Sequence, residues 1–394
     1  MTESVIVAGI RTPIGKFLGS FSDLSAQDLG GAAIKGALER GQVAPEQIDY
    51  VIMGQVLQAG QGQITARQAA TNAGIGMEVP CITINKVCLS GLNAIALADQ
   101  LIRAGEVEMV VAGGMESMSG APYALPRGRQ GFRMGNAEAV DLMIHDGLWC
   151  AFDHQHMGKG SDACAASLGI SRAQQDEWAA SSHERAAEAT KAGLLAEEIV
   201  GVEIPQRKGE PLLALEDEGI RPGTTAESLG KLKPAFVADG TITAGNASQI
   251  SDGAAAVIVT SRERATSDGL TVLATIAAHG MVAGPGPTLE SQPANAIRKA
   301  AGKLGRDPGG FDLYEMNEAF ASVAIQSSKE LGVGAEKVNV NGGAIALGHP
   351  IGMSGARLVL TLSAELRRRG GGFGAAALCG GGGQGDALII QVDA

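Results

Sequence analysis

Residues 82–114 read ITINKVCLSGLNAIALADQLIRAGEVEMVVAGG and place an alanine-rich stretch between two short β-branched runs. The first run, CITI at 81–84, predicts a strand, and MVVA at 109–112 predicts a second strand that stops at two glycines. Residues 91–104 are apolar on nearly every face, which is typical of a buried helix. Strand, helix and strand in this order indicate an α/β fold with a largely parallel sheet.

The same plan returns near the C-terminus, in residues 338–383. These residues run from a predicted strand, VNVN, through a glycine-rich turn that holds His349, to a predicted helix at 354–369. The predicted strand GAAAL, Cys379 and four glycines follow. We interpret the two passages as corresponding parts of two similar halves, with strands that end at a common site.

The rest of the chain adds elements around these two passages. Apolar patterning predicts strands at 5–8, 50–54, 254–260 and 312–316, and helices at 29–38 and 171–191. The middle region holds scattered Arg, Gly and Pro, and is interpreted as an insertion packed on the core. We therefore expect an N-terminal half (1–118 and 249–268), an inserted loop domain (119–248) and a C-terminal half (269–394), with a linker near 261–270.

Composition and charge exclude several classes of protein. The 394 residues carry 31 Lys and Arg against 42 Asp and Glu, a net charge of −11, with only 8 Phe, 3 Tyr and 2 Trp. Such a chain is repelled by phosphate backbones and lacks stacking platforms, so nucleic acid is not an expected partner. Glycine, at 57 residues, has about twice its usual ~7% share, which indicates tight turns and close backbone approaches.

Targeting and disulfide signals are also weak. The N-terminus has no basic or Arg-rich amphipathic stretch, and the longest uncharged stretches, 269–289 and 338–356, are broken by Gly, Pro and polar residues. We expect a cytoplasmic protein without a membrane span. The five cysteines are widely spread and contain no CxxC, which argues against a disulfide framework or a zinc site.

Four short motifs could carry chemistry. Cys88 lies between a predicted strand end and a helix start, where a helix N-terminus lowers the pKa of a thiol. His349 lies in the segment NGGAIALGHPIG at 341–352, among four glycines, and could act as a base for a thiol. Cys379 precedes four glycines whose N–H groups could form an oxyanion hole, and Asn317, in NEAF, could orient a water. Taken singly, a structural cysteine, a structural histidine, an ordinary turn and a helix N-cap remain open.

In this order and at these separations, the motifs resemble the thiolase family, most closely its acetyl-CoA C-acetyltransferases. The likeness covers essentially the whole chain and includes RTPIG at 11–15, MESM at 115–118, RPGTT at 221–225 and TAGNAS at 243–248. It implies the thiolase fold, in which two similar α/β halves pack in five layers, α-β-α-β-α, with an inserted loop domain. It also implies a homotetramer, a dimer of dimers, and the Arg/Gly/Pro-rich arm at 120–135 suits contact with a neighbour.

The resemblance further implies a two-step acyl transfer that interconverts two acetyl-CoA with acetoacetyl-CoA and CoA. Cys88 would attack an acyl-CoA thioester while His349 accepts the thiol proton, and Cys379 would move the proton on the α-carbon of acetyl-CoA. His349 and a water held by Asn317 would stabilise the enolate oxygen. The backbone N–H groups of Cys88 and Gly381 would stabilise the tetrahedral intermediate.

Matching positions imply coenzyme A thioesters as substrates, with no bound cofactor. Arg221 and Ser248 match positions near the adenine nucleotide and pantetheine. The pantetheine tunnel is matched by Leu148, His156, Met157, Phe236, Ala319 and Phe320. The H-x-H at 154–156 has no further clustered His or Cys near it in sequence, so no metal site is expected.

One alternative stays open beside this reading, and the motifs argue against two others. Residues 283–296 are longer than in short-chain biosynthetic members and should border the acyl pocket, so the chain could be a 3-ketoacyl-CoA thiolase of broader or longer chain preference, as in fatty-acid β-oxidation. A β-ketoacyl synthase would have a second histidine in place of Cys379. A non-catalytic acyl-CoA-binding protein would be expected to lose Cys88, His349 or Cys379, and the sequence keeps all three.

Overall fold

The computed structural model describes residues 2–394 and shows a mixed α/β architecture. Its strands are β1 Ser4–Arg11, β2 Gly15–Lys16, β3 Tyr50–Gly54, β4 Cys81–Ile84, β5 Met109–Ser117, β6 Tyr123–Ala124, β7 Val140–Asp141, β8 Trp149–Cys150, β9 Gln155–His156, β10 Val202–Ile204, β11 Leu212–Ala214, β12 Ser251–Ser261, β13 Ala274–Ala283, β14 Leu313–Met316, β15 Gly372–Gly380 and β16 Gln384–Val392. Its α-helices are α1 Ala26–Gly41, α2 Thr65–Asn72, α3 Ser90–Ala104, α4 Met157–Ser167, α5 Arg172–Lys191, α6 Ala226–Gly230, α7 Arg262–Ser267, α8 Gln292–Lys303, α9 Ala321–Leu331, α10 Ala344–Leu347 and α11 Ser354–Arg368.

Ten strands form one continuous sheet in the order β14-β15-β16-β13-β1-β12-β5-β3-β4, with β2 beside β12. The two halves are joined where Val5 and Ile6 of β1 pair with Thr275 and Ala274 of β13. The pairs β3–β4, β3–β5 and β14–β15 are parallel, whereas the pairs along the middle of the sheet are antiparallel. The expectation of a largely parallel sheet is therefore wrong. A turn as short as 381–383, between β15 and β16, can join only antiparallel strands.

The helices and strands form five layers. α3 and α11 lie beside each other between the strands of the two halves, α1 and α2 cover the outer face of the N-terminal half, and α8, with α9 beside it, covers the outer face of the C-terminal half. Buried apolar residues form three large clusters. One, around Ile95, fills the space on both sides of the two central helices, and the other two lie under the outer helices, around Ile34 in the N-terminal half and Ile297 in the C-terminal half. This arrangement agrees with the α-β-α-β-α packing expected from the sequence.

The two central helices approach each other at glycines. Gly355, in the first turn of α11, lies so close to α3 that a Cβ there would overlap the backbone of Leu92. The contact is equally close at Gly91 of α3, where a Cβ would lie 2.8 Å from the carbonyl oxygen of Gly352, just before α11. Cys88 and His349 each lie three residues before one of these contacts, at Gly91 and Gly352. The close approach of the backbones therefore brings the turn of Cys88 to the loop of His349.

Most predicted elements form, but the predicted strand VNVN does not. The strands at 50–54 and 81–84 have the predicted bounds, and the helix at 91–104 begins one residue earlier. Within VNVN, only Val338 makes a bridge, to Tyr314. Asn339 has a left-handed backbone (φ 48°), and its side-chain amide accepts from the N–H of Met316 and donates to its carbonyl, both at 2.8 Å. A side chain thus takes the place of a strand neighbour at this edge of β14.

The inserted region packs on the core without a large sheet of its own. Within the described residues it forms β6–β11, which pair as three two-stranded sheets, and α4–α6. The long helix α5 contacts α6, α9 and α10, so it lies against the C-terminal half. The segment Val87–Ala104 is long and apolar enough to cross a membrane, but 61% of it is buried in the protein. Since it contains α3, it is one of the two central helices of the fold.

Candidate active site

One cavity of about 650 Å³ opens where the two halves and the inserted region meet. Twelve residues singled out from the sequence line it, namely Cys88, Leu148, His156, Met157, Arg221, Phe236, Ser248, Ala319, Phe320, His349, Cys379 and Gly381. Asn317 does not line it, but its side chain contacts His349 from behind. The structure thus brings together residues that are up to 293 positions apart in the chain, from Cys88 to Gly381.

Cys88 lies in a tight turn between β4 and α3. The preceding Val87 has a left-handed backbone (φ 51°), and Ser90 Oγ accepts from the N–H of Lys86 at 2.8 Å and donates to the carbonyl of Val87 at 2.6 Å. Burial raises the pKa of the Cys88 thiol to about 12, although hydrogen bonds from the N–H groups of Cys88 and Gly381 oppose the shift. The expected lowering of the thiol pKa by the helix start is therefore wrong, because desolvation of a thiolate outweighs the backbone donors.

His349 is buried and is held at both ring nitrogens. Nδ1 lies 2.6 Å from Ser354 Oγ, which donates to the carbonyl of Pro350 at 2.9 Å, and Nε2 lies 3.3 Å from Asn317 Nδ2. Because the Ser354 hydroxyl proton is used on Pro350, we assign the ring proton to Nδ1 and a lone pair to Nε2, which accepts from the side-chain amide of Asn317. Burial, with a smaller contribution from the Arg357 guanidinium, lowers the pKa of His349 to about 3. The imidazole is therefore neutral at physiological pH.

Cys379 lies at the end of β15, immediately before the turn to β16. Its side chain is 1% exposed and packs with Leu289, Phe320 and Val323. Burial raises the pKa of this thiol well above its ordinary value, and the nearby Cys88 and Glu290 raise it further. The two cysteines are therefore both uncharged thiols in the free protein. They differ in setting, since Cys88 receives the N–H of Gly381 and Cys379 lies against an apolar wall.

Asn317 follows the end of β14, where its N–H donates to the carbonyl of Ala377 at 2.9 Å. The alternative that it caps a helix is wrong, because the next helix, α9, begins at Ala321 with Phe320 as its N-cap. Asn317 is fully buried, and its side-chain oxygen has no hydrogen-bond partner among the described residues. Its amide instead faces His349 Nε2, which lies at the floor of the cavity.

The outer part of the cavity combines an aromatic wall with positive charge. The rings of His156 and Phe236 stack at 4.6 Å, and Phe236 meets Phe320 edge-on at 6.2 Å. His156 also caps α4, since its Nδ1 accepts from the N–H of Gly158 at 3.0 Å. Arg221 is exposed and lines the cavity together with Lys16. Apolar walls beneath two cations suit a long ligand with an anionic end.

Sequence reasoning missed several lining residues. These are Lys16, Phe17, Glu218, Ala235, Thr243, Ala244, Ala247, Gln249, Ile250, Leu289, Ile351 and Gly380. Thr243, Ala244 and Ala247 fall within the quoted TAGNAS motif, and Leu289 falls within 283–296, the segment expected to border the acyl pocket. Lys16 and Phe17 carried no signal, because they reach the cavity only through the pairing of β2 with β12. Ser354, which holds His349, was also not identified.

Among residues 2–394, no group of three or more His, Cys, Asp or Glu side chains is placed to hold a metal ion. All five cysteines are free thiols.

A fold of two joined α/β halves, with two cysteines and a histidine at their junction, defines a class of acyl-transfer enzymes. Residues 4–263 match the family model "Thiolase, N-terminal domain", and residues 270–392 match "Thiolase, C-terminal domain". The chain therefore belongs to the thiolase family.

Similar proteins extend over the full length. A protein of Mycolicibacterium smegmatis named "Probable acetyl-CoA acetyltransferase" is 59% identical over 98% of this chain and 100% of its own length. The "Acetyl-CoA acetyltransferase" of Cupriavidus necator is 51% identical over 99% of this chain and 100% of its own length. The crystal structure of the Bacillus anthracis acetyl-CoA acetyltransferase superposes with a TM-score of 0.97 at 40% identity, covering 100% of this chain and 99% of that chain.

Proposed function

We propose that this thiolase transfers an acetyl group between coenzyme A thioesters, so that two acetyl-CoA and acetoacetyl-CoA plus CoA are interconverted. The observation that carries the proposal is the convergence of Cys88, Cys379 and His349 on one cavity, with Asn317 hydrogen-bonded to the histidine. Relatives of 49–59% identity that are named acetyl-CoA acetyltransferases support the choice of the acetyl group.

The first step is acyl transfer to Cys88. Its thiol and the His349 imidazole are both neutral in the free protein, so the proton passes from Sγ to Nε2 as sulfur attacks the thioester carbonyl. The N–H groups of Cys88 and Gly381 already point at this sulfur, and they are the donors for the oxygen that becomes negative. Collapse of the tetrahedral intermediate leaves an acetyl group on Cys88. The departing CoA thiolate takes the proton of the Cys379 thiol, so that Cys379 becomes a thiolate while His349 keeps the proton on Nε2.

The second step joins two carbons. The Cys379 thiolate left by the first step removes a proton from the α-carbon of a second acetyl-CoA, and the resulting carbanion attacks the acetyl carbonyl on Cys88. Collapse of this second intermediate releases acetoacetyl-CoA, and the Cys88 thiolate takes its proton back from His349. The thioester oxygen of the second substrate gains charge in this step and is stabilised by His349 and by a water on Asn317. The unpartnered side-chain oxygen of Asn317 supports a water at this place.

Coenzyme A itself would lie along the outer cavity. Its phosphates would meet Lys16 and Arg221, and its pantetheine chain would pass between Ser248 and the stacked rings of His156 and Phe236. Two cations at the mouth matter because the chain as a whole is acidic, with a net charge of −11.

Labelling with acetyl-CoA alone tests the proposal. The wild type should carry an acetyl thioester on Cys88, detected by peptide mass spectrometry, and Cys88→Ala should carry none. Cys379→Ala should still be labelled, but should lose condensation and the exchange of acetyl-CoA methyl protons by about 10²–10⁴-fold.

Cys81→Ala is the matched control, because this cysteine does not line the cavity, and it should behave as the wild type. A label on Cys379 in the wild type would reverse the two roles. Condensation at the wild-type rate by Cys379→Ala would refute the second step.

A further inference from the structure

Glu318 follows Asn317 directly, but its side chain leaves the cavity. It is 1% exposed and lies at the inner wall of a groove of about 380 Å³ between α5 and α9. Glu318 belongs to the NEAF motif but takes no part in either step of the proposed reaction. A buried carboxylate is costly unless its oxygens are fully hydrogen-bonded, so its partners indicate why it is there.

Four donors from three separate segments hold this carboxylate. Oε1 accepts from the indole N–H of Trp178 and the side-chain amide of Asn339, both at 2.9 Å. Oε2 accepts from the hydroxyl of Ser182 at 2.8 Å and from the backbone N–H of Ile345 at 3.1 Å. No cation within residues 2–394 pairs with it. The charge is stabilised by oriented neutral donors alone, which makes these hydrogen bonds strong and directional.

Each donor stands on an element that leads to the active site. Trp178 and Ser182 belong to α5 of the inserted region. Ile345 belongs to α10, which runs directly into the loop of His349. Asn339 is the residue whose side chain pairs with Met316 at the end of β14, one residue before Asn317.

The backbone around His349 is shaped to admit this carboxylate. A Cβ at Gly343 would overlap the carboxyl group of Glu318, so only glycine fits there. The N–H of Gly343 donates to Ser182 Oγ at 3.0 Å, and Ser182 in turn donates to Glu318. The glycine-rich segment before His349 is therefore packed against Glu318 rather than being a free loop.

We propose that Glu318 is a positioning residue that fixes Asn317 relative to His349, and so holds the oxyanion site of the condensation step in place. The inference rests on the roles given to these two residues in the proposed function. Asn317 Nδ2 and His349 Nε2 lie 3.3 Å apart, on segments that approach each other through Glu318 and its donors. A displacement of about 1 Å in such a pair can lower the rate of the chemical step by about 10²-fold.

The test compares Glu318→Gln with Glu330→Gln by steady-state kinetics and urea denaturation. Glu330, on α9, is also held by several side chains, namely Ser291, Arg298 and Gln326, but it lies away from the cavity. Glu318→Gln should lower kcat by about 10–100-fold and leave KM for acetyl-CoA within about twofold, because Lys16, Arg221 and Ser248 are unchanged. Glu330→Gln should keep the wild-type kcat and KM.

A second measurement separates positioning from general damage. If Glu318 acts through Asn317, adding Glu318→Gln to Asn317→Ala should lower kcat no further than Asn317→Ala alone. A wild-type kcat in folded Glu318→Gln, a rise in KM as large as the fall in kcat, or fully additive losses in the double variant would each overturn the inference.

Two milder variants keep the test decisive if Glu318→Gln does not fold. Trp178→Phe and Ser182→Ala each remove one donor and leave the carboxylate, and each should lower kcat by up to about tenfold with KM unchanged. Wild-type kcat in both overturns the inference. Full activity of Asn317→Ala would instead refute the proposed function of Asn317, whereas an inactive Asn317→Ala beside a fully active Glu318→Gln refutes the positioning role alone.

Discussion

His349 has two properties that an exposed histidine lacks. It is buried with a neutral ring, and both ring nitrogens have partners that fix its orientation. The neutral ring can accept a proton from Cys88 only during the reaction, when the developing charge on the substrate is stabilised by nearby donors. The same burial that prepares the base makes its protonation unfavourable in the resting protein.

This linkage predicts an acid-dependent loss of stability. The folded pKa of His349, about 3, is below the ordinary value of 6.5, so the unfolded chain binds the proton first as the pH falls. The stability due to the neutral ring is present above pH 6.5 and is lost as the pH falls towards 3. Between pH 6.5 and 4.5 the wild type should lose about 2 kcal/mol more than His349→Asn, measured by urea denaturation.

The control is His154→Asn, which replaces a histidine that is exposed in the folded protein and should leave the pH dependence unchanged. Parallel stability curves for the wild type and His349→Asn would contradict the prediction.

Among the elements, the contact between α3 and α11 is set by backbone proximity. Gly355→Ala would push a methyl group into the backbone of Leu92, which cannot move aside as a side chain can. We expect a loss of about 1–3 kcal/mol in the free energy of unfolding, as for other overpacked cores. Activity should fall as well, because the Cys88 turn and the His349 loop meet at this contact.

Gly302 of α8 offers a matched control. It is exposed, has a helical backbone, and a Cβ there would meet no atom within 4 Å. Gly302→Ala should therefore stabilise the protein by about 0.4–1 kcal/mol, since alanine favours the helix and restricts the unfolded chain. Thermal or urea denaturation would measure the change in the free energy of unfolding of each variant. Equal changes for Gly355→Ala and Gly302→Ala would show that the contact between α3 and α11 is not tight.

The elements also show what a sequence can and cannot predict. Short β-branched runs and the alanine-rich helix were predicted with nearly correct bounds, because local periodicity determines them. The predicted strand VNVN does not form, because the side chain of Asn339, and not its backbone, pairs with Met316. No local sequence pattern reveals such a contact. Glu318 could not be understood from NEAF alone, since its donors Trp178 and Ile345 lie 140 positions before it and 27 after it. Site residues were found through the motifs, whereas Lys16 and Ser354 needed the fold.

For the whole molecule we propose a homotetramer. The arm that carries β6 exposes apolar side chains outside any core, with Tyr123 67%, Phe132 50% and Met134 99% exposed. Large exposed apolar groups grouped on one arm indicate contact with another chain, here a second copy.

Sedimentation should therefore show a particle of four 40.0 kDa chains at micromolar concentration. Phe132→Ser combined with Met134→Ser should shift it to smaller species. Leu212→Ser, which removes a similarly exposed side chain on β11, should not. A wild type that sediments as a monomer would refute the proposal.

The pairing of β1 with β13 also bears on how the protein unfolds. Because this pairing makes the strands of both halves one sheet, and the apolar cluster around Ile95 draws on both, neither half possesses a complete interior. Opening either half would expose the apolar faces of α3 and α11 to water, and the loss would spread to the other half. The two regions match separate family models, but we expect them to unfold as one cooperative unit. The arrangement of the catalytic side chains at their junction would then be lost, and regained on refolding, in a single step.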